Sequence, residues 1–463
     1  MITLCRGCID GNKESMSQIK LNFYNSTLFK LILISLISSL VIDISLGNIA
    51  DVDIVTGFIS SASGLALFVV ISVLVCLGQL FLIHYMDTVM KEKIHKTFFS
   101  SQNLIKGITV FGIVLLFSLM IQIFIFSHYE VMLLIVGSTI CWLTATALMI
   151  ILSIKLISWY NTNRSWILLL YAMSAICLAS YEVSMLSLSS IILFDKDTEV
   201  YQDSDVIFPI NDIPGSPIAV SNTIVQLTYN LGFVFLWGST ALFLYGHVSR
   251  IGKWKYWTIM GFILVAFLSY LGLVFPELEL SEELQEAEVD IIPGILFATY
   301  SAIAGGFLFG IGFLYLSREL NSTKFLKIHL FLAYIGFFIM FISNGATIFN
   351  AAYPPYGFVN VLTVPLSSYL VYQGILYSAT SLSKDYHLRK LLKNSTLAES
   401  SLINKMGTAE REMSIKNIVS STMAKTRSLN SQGVESSLTE ENLNSYVKQV
   451  LRELEKTRDN RKI

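Results

Sequence analysis

Ten stretches of about twenty or more residues are apolar at almost every position, near Thr27–Leu46, Gly57–Met86, Leu104–Ser127, Val131–Ser158, Ser165–Phe194, Thr223–Gly246, Tyr256–Phe275, Ile291–Leu316, Phe325–Phe349 and Tyr356–Ala379. Helix of that length crosses roughly 30 Å of hydrocarbon. A membrane β-barrel calls instead for ten-residue strands that alternate apolar and polar positions, so these continuous runs are expected to be helices. The predicted fold class is therefore all-α: a polytopic transmembrane bundle of about ten spans over 27–379, an N-terminal segment 1–26, and a helical tail 380–463.

Composition supports this, since 54% of the 463 residues are hydrophobic and only 14% are charged, far from the balance of a soluble domain. The mixed polar residues before the first run lead into no small-residue cleavage site, so the first span is expected to be retained.

Charge orients the spans, because Lys and Arg of short loops stay on the cytoplasmic side. With the N-terminus inside, the inner connections carry Lys91, Lys93 and Lys96, then Lys155 and Arg164, then Arg250, Lys253 and Lys255, then Arg318, Lys324 and Lys327. The outer connections hold one cation, Lys196, and the acidic segments 195–222 and 276–290. Both termini are thus expected in the cytoplasm of a cell bearing this protein in its plasma membrane. Trp159, Trp166, Trp254 and Trp257 fall at the inner boundary, where indoles favour the headgroup level.

Soluble chemistry finds no motif: G-x-x-x-x-G-K-[ST], G-x-G-x-x-G after a strand and H-E-x-x-H do not occur. No enzyme, cofactor or nucleic-acid partner is expected. Cys5 and Cys8 form a lone C-x-x-C, half of a zinc site with no second pair. The histidines other than His128 read as interfacial groups of the inner boundary.

One acid stands out. Glu182 interrupts a run that is uncharged from Ser165 to Phe194. At about 1.5 Å per residue it lies roughly 18 Å from Phe194 and roughly 24 Å from Trp166, near the midplane. An ionisable group there costs several kcal/mol and usually faces the bundle interior or a wet cavity, and protonation is its cheapest relief. Gln226 and Asn230, four residues apart and so on one helical face, with Gln122 and Asn344 near outer span ends, are candidates to share an outward polar cavity with it. Gly306 and Gly310 have the G-x-x-x-G spacing that lets helices approach closely. The prolines fall in outer loops or at or near span ends, Pro365 among the latter, so no span is expected to carry the mid-helix break of many transporter sites.

The tail opens with the basic "SKDYHLRKLLK" (Ser383–Lys393), suited to anionic headgroups. A flexible Ser-rich stretch is expected around Thr426–Gly433. "SLTEENLNSYVKQVLRELEK" then starts with a capping box, Ser437 and Glu440, and carries Leu443, Val447, Val450 and Leu454 at 4-3-4 spacing. That stripe fits docking on a cytoplasmic partner or on a second copy.

"YPPYGFVNVLTVPLSSYLVYQGILYSATSLSKDYHLRK" (Tyr353–Lys390) and "GVESSLTEENLNSYVKQVLREL" (Gly433–Leu454) resemble a group of uncharacterised polytopic membrane proteins of ammonia-oxidising archaea. The resemblance is clearest over the last third and implies an archaeal plasma membrane and a shared C-terminal module; it carries over no activity and no site residue. Two function classes fit. A sensor or signal relay accounts for acidic outer loops, a polar interior and a structured tail; a secondary transporter accounts for ten spans and a midplane acid. The missing helix break favours the first.

Overall fold

The computed structural model describes residues 27–50, 53–90, 96–194, 199–201, 217–245, 248, 252–274, 291–319, 324–346, 352–384, 398–429 and 449. Twelve helices run α1 (Thr27–Asn48), α2 (Asp53–Ile59), α3 (Ala62–Met90), α4 (Lys96–Phe126), α5 (Val131–Asn163), α6 (Trp166–Phe194), α7 (Pro217–Leu244), α8 (Lys253–Val274), α9 (Ile291–Glu319), α10 (Lys324–Asn344), α11 (Phe358–Lys384) and α12 (Ala398–Leu429). The chain is an all-α bundle, with one short antiparallel pair, β1 (His128–Glu130) and β2 (Glu199–Tyr201), at one end. We call this the hairpin end, and the end bearing α12 the tail end.

Among the described residues, nine helices are long and apolar enough to cross a membrane, as a multi-pass membrane protein requires. Each covers one of the expected runs. The tenth run is also helical, as α8, but is not among the nine. Residues on the outer faces are apolar too: on α4, Val110, Val114, Phe117, Ile121 and Phe124 recur every three or four positions and are all exposed. A helix that is hydrophobic all round suits a lipid exterior.

Packing ranks the helices in a way their sequences do not. The most apolar window of α11 is 100% buried and that of α10 is 78% buried, against 33% for α1. α11 is thus the axis of the bundle, although it carries Asn360, Thr363, Ser367, Ser368, Gln373 and Ser378, all buried. It also contains Pro365 well inside its length. This corrects the expectation that Pro365 marks a span end; the ring leaves the Val361 carbonyl without its intrahelical donor.

Small residues draw α10 against its neighbours. A Cβ added at Gly306 on α9 stands 2.5 Å from Cβ of Phe341, and one at Gly310 stands 2.8 Å from the Tyr334 carbonyl oxygen. On another face of α10, a Cβ added at Gly374 of α11 stands 2.6 Å from the backbone nitrogen of Ala333. Close backbone approach of this kind is how membrane helices gain packing when lipid offers no hydrophobic drive.

The described residues just before α11 are buried without being helical. Ala352 to Tyr356 are all buried. Tyr129 donates its hydroxyl to the Ala352 carbonyl at 2.9 Å, Tyr353 to Ile123 at 3.2 Å, and Tyr356 to Gly64 at 2.6 Å. Irregular backbone persists inside a membrane bundle only where protein encloses it, and these tyrosines are part of that enclosure.

Tail residues depart from the sequence expectation in one respect. α12 continues through Leu429, so Thr426–Leu429 is helix rather than flexible chain. The 1–26 segment with Cys5 and Cys8, most of the two acidic segments 195–222 and 276–290, the basic Ser383–Lys393 run beyond Lys384, and the docking stripe Leu443, Val447, Val450 and Leu454 lie outside the described residues.

Candidate functional site

Among the described residues, two carboxyl groups lie inside the bundle, both with 0% of their surface exposed: Asp43 on α1 and Glu182 on α6. Asp43 sits where α1 meets the N-terminus of α11. Its Oδ1 accepts the Gly357 N–H at 3.0 Å, and its Oδ2 accepts the Asn360 N–H at 3.1 Å and the Asn360 side-chain Nδ2 at 2.8 Å. The approach needs glycine twice. A Cβ at Gly47 stands 3.0 Å from the Gly357 nitrogen, and Gly357 itself has φ +89°, which side chains rarely adopt. The first backbone N–H groups of a helix have no intrahelical partner and form its positive end. Asp43 therefore caps the central helix from a neighbouring one.

Glu182 has no such arrangement: neither carboxyl oxygen has a hydrogen-bond partner among the described residues. On the tail-end side of it lies a small void of about 10 Å³, which Glu182 itself does not line, between Met149 and Leu152 on α5, Leu178 on α6, Met340 on α10, and Val371 and Ile375 on α11, among others. One to two turns toward the hairpin end from these positions stand Thr146 and Trp142 on α5, Glu182 on α6, Ser343 and Asn344 on α10, and Ser368 on α11. All six are buried, and each has a side-chain polar atom without a hydrogen-bond partner: Trp142 Nε1, Thr146 Oγ1, both Glu182 oxygens, Ser343 Oγ, both ends of the Asn344 amide, and Ser368 Oγ. Tyr181 ties the layer together. Its ring meets Trp142 edge-on at 6.0 Å and its hydroxyl donates to the Asn344 carbonyl. Most buried polar atoms in native structures are satisfied, so a cluster that is not calls for a functional account.

Of the five sequence candidates, Glu182 and Asn344 come to this layer and the others do not. Gln122 accepts the Glu130 N–H at 3.0 Å and steadies the start of α5. Gln226 and Asn230 are half-buried on the flank of α7 that carries Trp237, whose indole donates to the Met260 carbonyl of α8 at 2.9 Å. α7 meets α6 instead at Gly232, where an added Cβ is 3.4 Å from Cys177 and Leu178, and Gly232 lies nearly opposite Asn230 on a helix of 3.6 residues per turn.

Sequence reasoning missed Asp43. A single acid five residues before the end of the first helix was the available signal, and Asn360 at the third position of α11 was its counterpart. His329 was read as interfacial; it is buried and stacks on Tyr377 at 4.9 Å.

The tail end holds a second unforeseen arrangement. Met406 and Ala409 of α12 are buried, and a Cβ at Gly407 stands 2.8 Å from Leu382 at the end of α11. The Trp159 indole donates to Glu410 at 2.9 Å, Ser158 to Met413 Sδ at 3.2 Å, and Asn163 to the Lys405 carbonyl. Trp159, expected at the headgroup level, is instead covered by α12, whereas Trp166, Trp254 and Trp257 are exposed. A cleft of about 340 Å³ lies between α12 and Lys155 of α5.

No family model matches the chain, and neither a curated protein nor a solved structure is significantly similar to it. The site and the fold define the class: a polytopic helical bundle with an enclosed polar axis and a helix docked across one end.

Proposed function

We propose that the protein is a signal relay of the cell membrane, with both termini cytoplasmic, in which the state of the polar interior is passed along α11 to α12. The carrying observation is the central helix. It begins at the Asp43 cap, runs past the Glu182 layer, and ends with Leu382 packed on Gly407 of α12. A rigid element touching both ends of the bundle is the kind of two-ended part through which coupling can pass. The loop charges support the orientation, and the 4-3-4 stripe of Leu443, Val447, Val450 and Leu454 supports a cytoplasmic partner or self-association beyond α12.

A spin label on Cys introduced at the exposed Ser421 tests the relay. The reading expects Asp43→Asn and Glu182→Gln to change the label's mobility, although both sites lie far from α12. Identical spectra in wild type and both variants would reject it. Impermeant thiol reagents should label single cysteines at Ser204 and Ser281 in intact cells but not one at Ser428; the reverse pattern rejects the orientation.

A second reading, a proton-coupled secondary transporter, is supported by the unpartnered Glu182 carboxyl. It expects substrate accumulation in vesicles that Glu182→Gln abolishes while α12 stays unchanged.

A further inference from the structure

The layer around Glu182 offers oxygen atoms and negative potential and, among the described residues, lacks a positive group. Lys155, Lys327 and Lys384 are all toward the tail end, Lys155 roughly 13 Å or more and the other two roughly 24 Å away along their helices. α10 ends at Asn344, so its C-terminal carbonyls, the negative end of the helix dipole, are presented to the same region. A buried carboxylate there has neither counter-charge nor donor, a state that costs several kcal/mol even after relaxation. The six residues of the layer are all buried, which leaves no room among them for an organic ligand.

We infer that Glu182, with Asn344 Oδ1 and the hydroxyls of Thr146, Ser343 and Ser368, forms an internal site for one small monovalent cation, either a proton or a sodium ion. Hard cations take carboxylate, amide and hydroxyl oxygens in preference to nitrogen or sulfur, and the layer supplies these from four helices. The two cations compete for one carboxyl: sodium binding converts the neutral acid to the carboxylate–sodium pair and releases its proton to solvent. The Trp142 indole N–H and the Asn344 amide N–H remain to donate to the oxygens that the cation leaves free. The inference goes beyond both functional readings, and it stands whether or not α12 responds.

Trp142 is a built-in reporter. In purified protein, emission that is lost in Trp142→Phe is followed while sodium replaces choline at constant ionic strength, and separately while pH is varied in choline. Sodium or acid should shift this emission and raise the unfolding temperature in wild type, and Glu182→Gln should lose both responses. A sodium response assigns a metal-ion site, and a response to acid alone assigns a proton site. Equal responses in wild type and Glu182→Gln overturn the inference, because the signal then comes from the other titratable groups of the packed helices: Cys141, Tyr181, Tyr229, His329, Tyr369 or the capping Asp43. If Glu182→Gln does not fold, the infrared carbonyl band of a protonated buried carboxyl serves in its place. That band should vanish with sodium or alkali and shift in Asn344→Leu; a band indifferent to Asn344 belongs to Asp43 and overturns the inference equally.

Discussion

Asp43 and Glu182 are the same functional group, equally buried and in the same membrane-spanning bundle, yet they are treated in opposite ways. Asp43 receives three N–H donors and the positive end of a helix. Glu182 receives no donor among the described residues and lies beside the negative end of one. Burial alone therefore does not tell a structural carboxylate from a functional one; the donor count around it does. An acid that is fully solvated by protein has no need of a ligand, whereas one that is not must be neutral or hold a cation.

The largest effect should come from removing Asp43. Asp43→Ala leaves the N–H groups of Gly357 and Asn360 and the Asn360 amide without their acceptor inside the bundle, and should destabilise it by about 3–5 kcal/mol, the scale of a broken buried charge arrangement. Asp43→Asn keeps one acceptor oxygen and should lose about 1.5–3 kcal/mol, the range for a hydrogen bond to a charged group. Unfolding of purified protein by heat or denaturant reads both. Equal losses for Ala and Asn would mean that Asp43 fills space rather than capping α11.

Glu182 should respond with the opposite sign. Replacing an unsatisfied buried polar group by an apolar one of similar shape is neutral or stabilising, so Glu182→Leu should stabilise by up to about 3 kcal/mol in sodium-free buffer. If it destabilises as Asp43→Ala does, the two carboxyl groups have the same role and the comparison fails.

The two sites also differ in how far their sequences announce them. Apolar runs locate each membrane-crossing helix to within several residues, because the need to satisfy backbone groups in lipid leaves helix as the solution. The midplane Glu182 is legible for the same reason, as a lone acid in an uncharged run. Which helix lies at the centre is not legible: spans that are apolar on all faces carry no inward stripe, so the polar α11, with the hydroxyls and amides of Asn360 to Ser378, gives the better clue in hindsight. Asp43 escaped because its solvation comes from residues more than three hundred positions away. Gln226 and Asn230 share a helical face with each other, as their spacing requires, but spacing cannot say which neighbour that face meets, and here it turns toward α8. The docking of α12 is likewise carried by Met406, Gly407 and Ala409, a small-residue patch in a mostly polar helix.

The smallest effect concerns a third carboxylate that falls between the two. Glu410 of α12 is half-buried and, among the described residues, accepts one donor, the Trp159 indole, at 2.9 Å. Being partly open, it can exchange that donor for water, which neither Asp43 nor Glu182 can reach. Trp159→Phe keeps most of the ring packing and removes the N–H, so it should cost about 0.5–1.5 kcal/mol, the net worth of one hydrogen bond, and should leave global unfolding nearly unchanged. The loss should appear locally. Hydrogen exchange of α12 backbone amides should quicken by up to about tenfold, since 1.4 kcal/mol is a factor of ten in an opening equilibrium, while amides of α11 keep their protection. Unchanged exchange in α12 would assign its docking to the contact of Gly407 with Leu382 alone. Faster exchange in α11 as well would mean that the docked helix stabilises the central one, as the relay requires, and Glu410 would then join Asp43 as a structural carboxylate at the opposite end of the same helix.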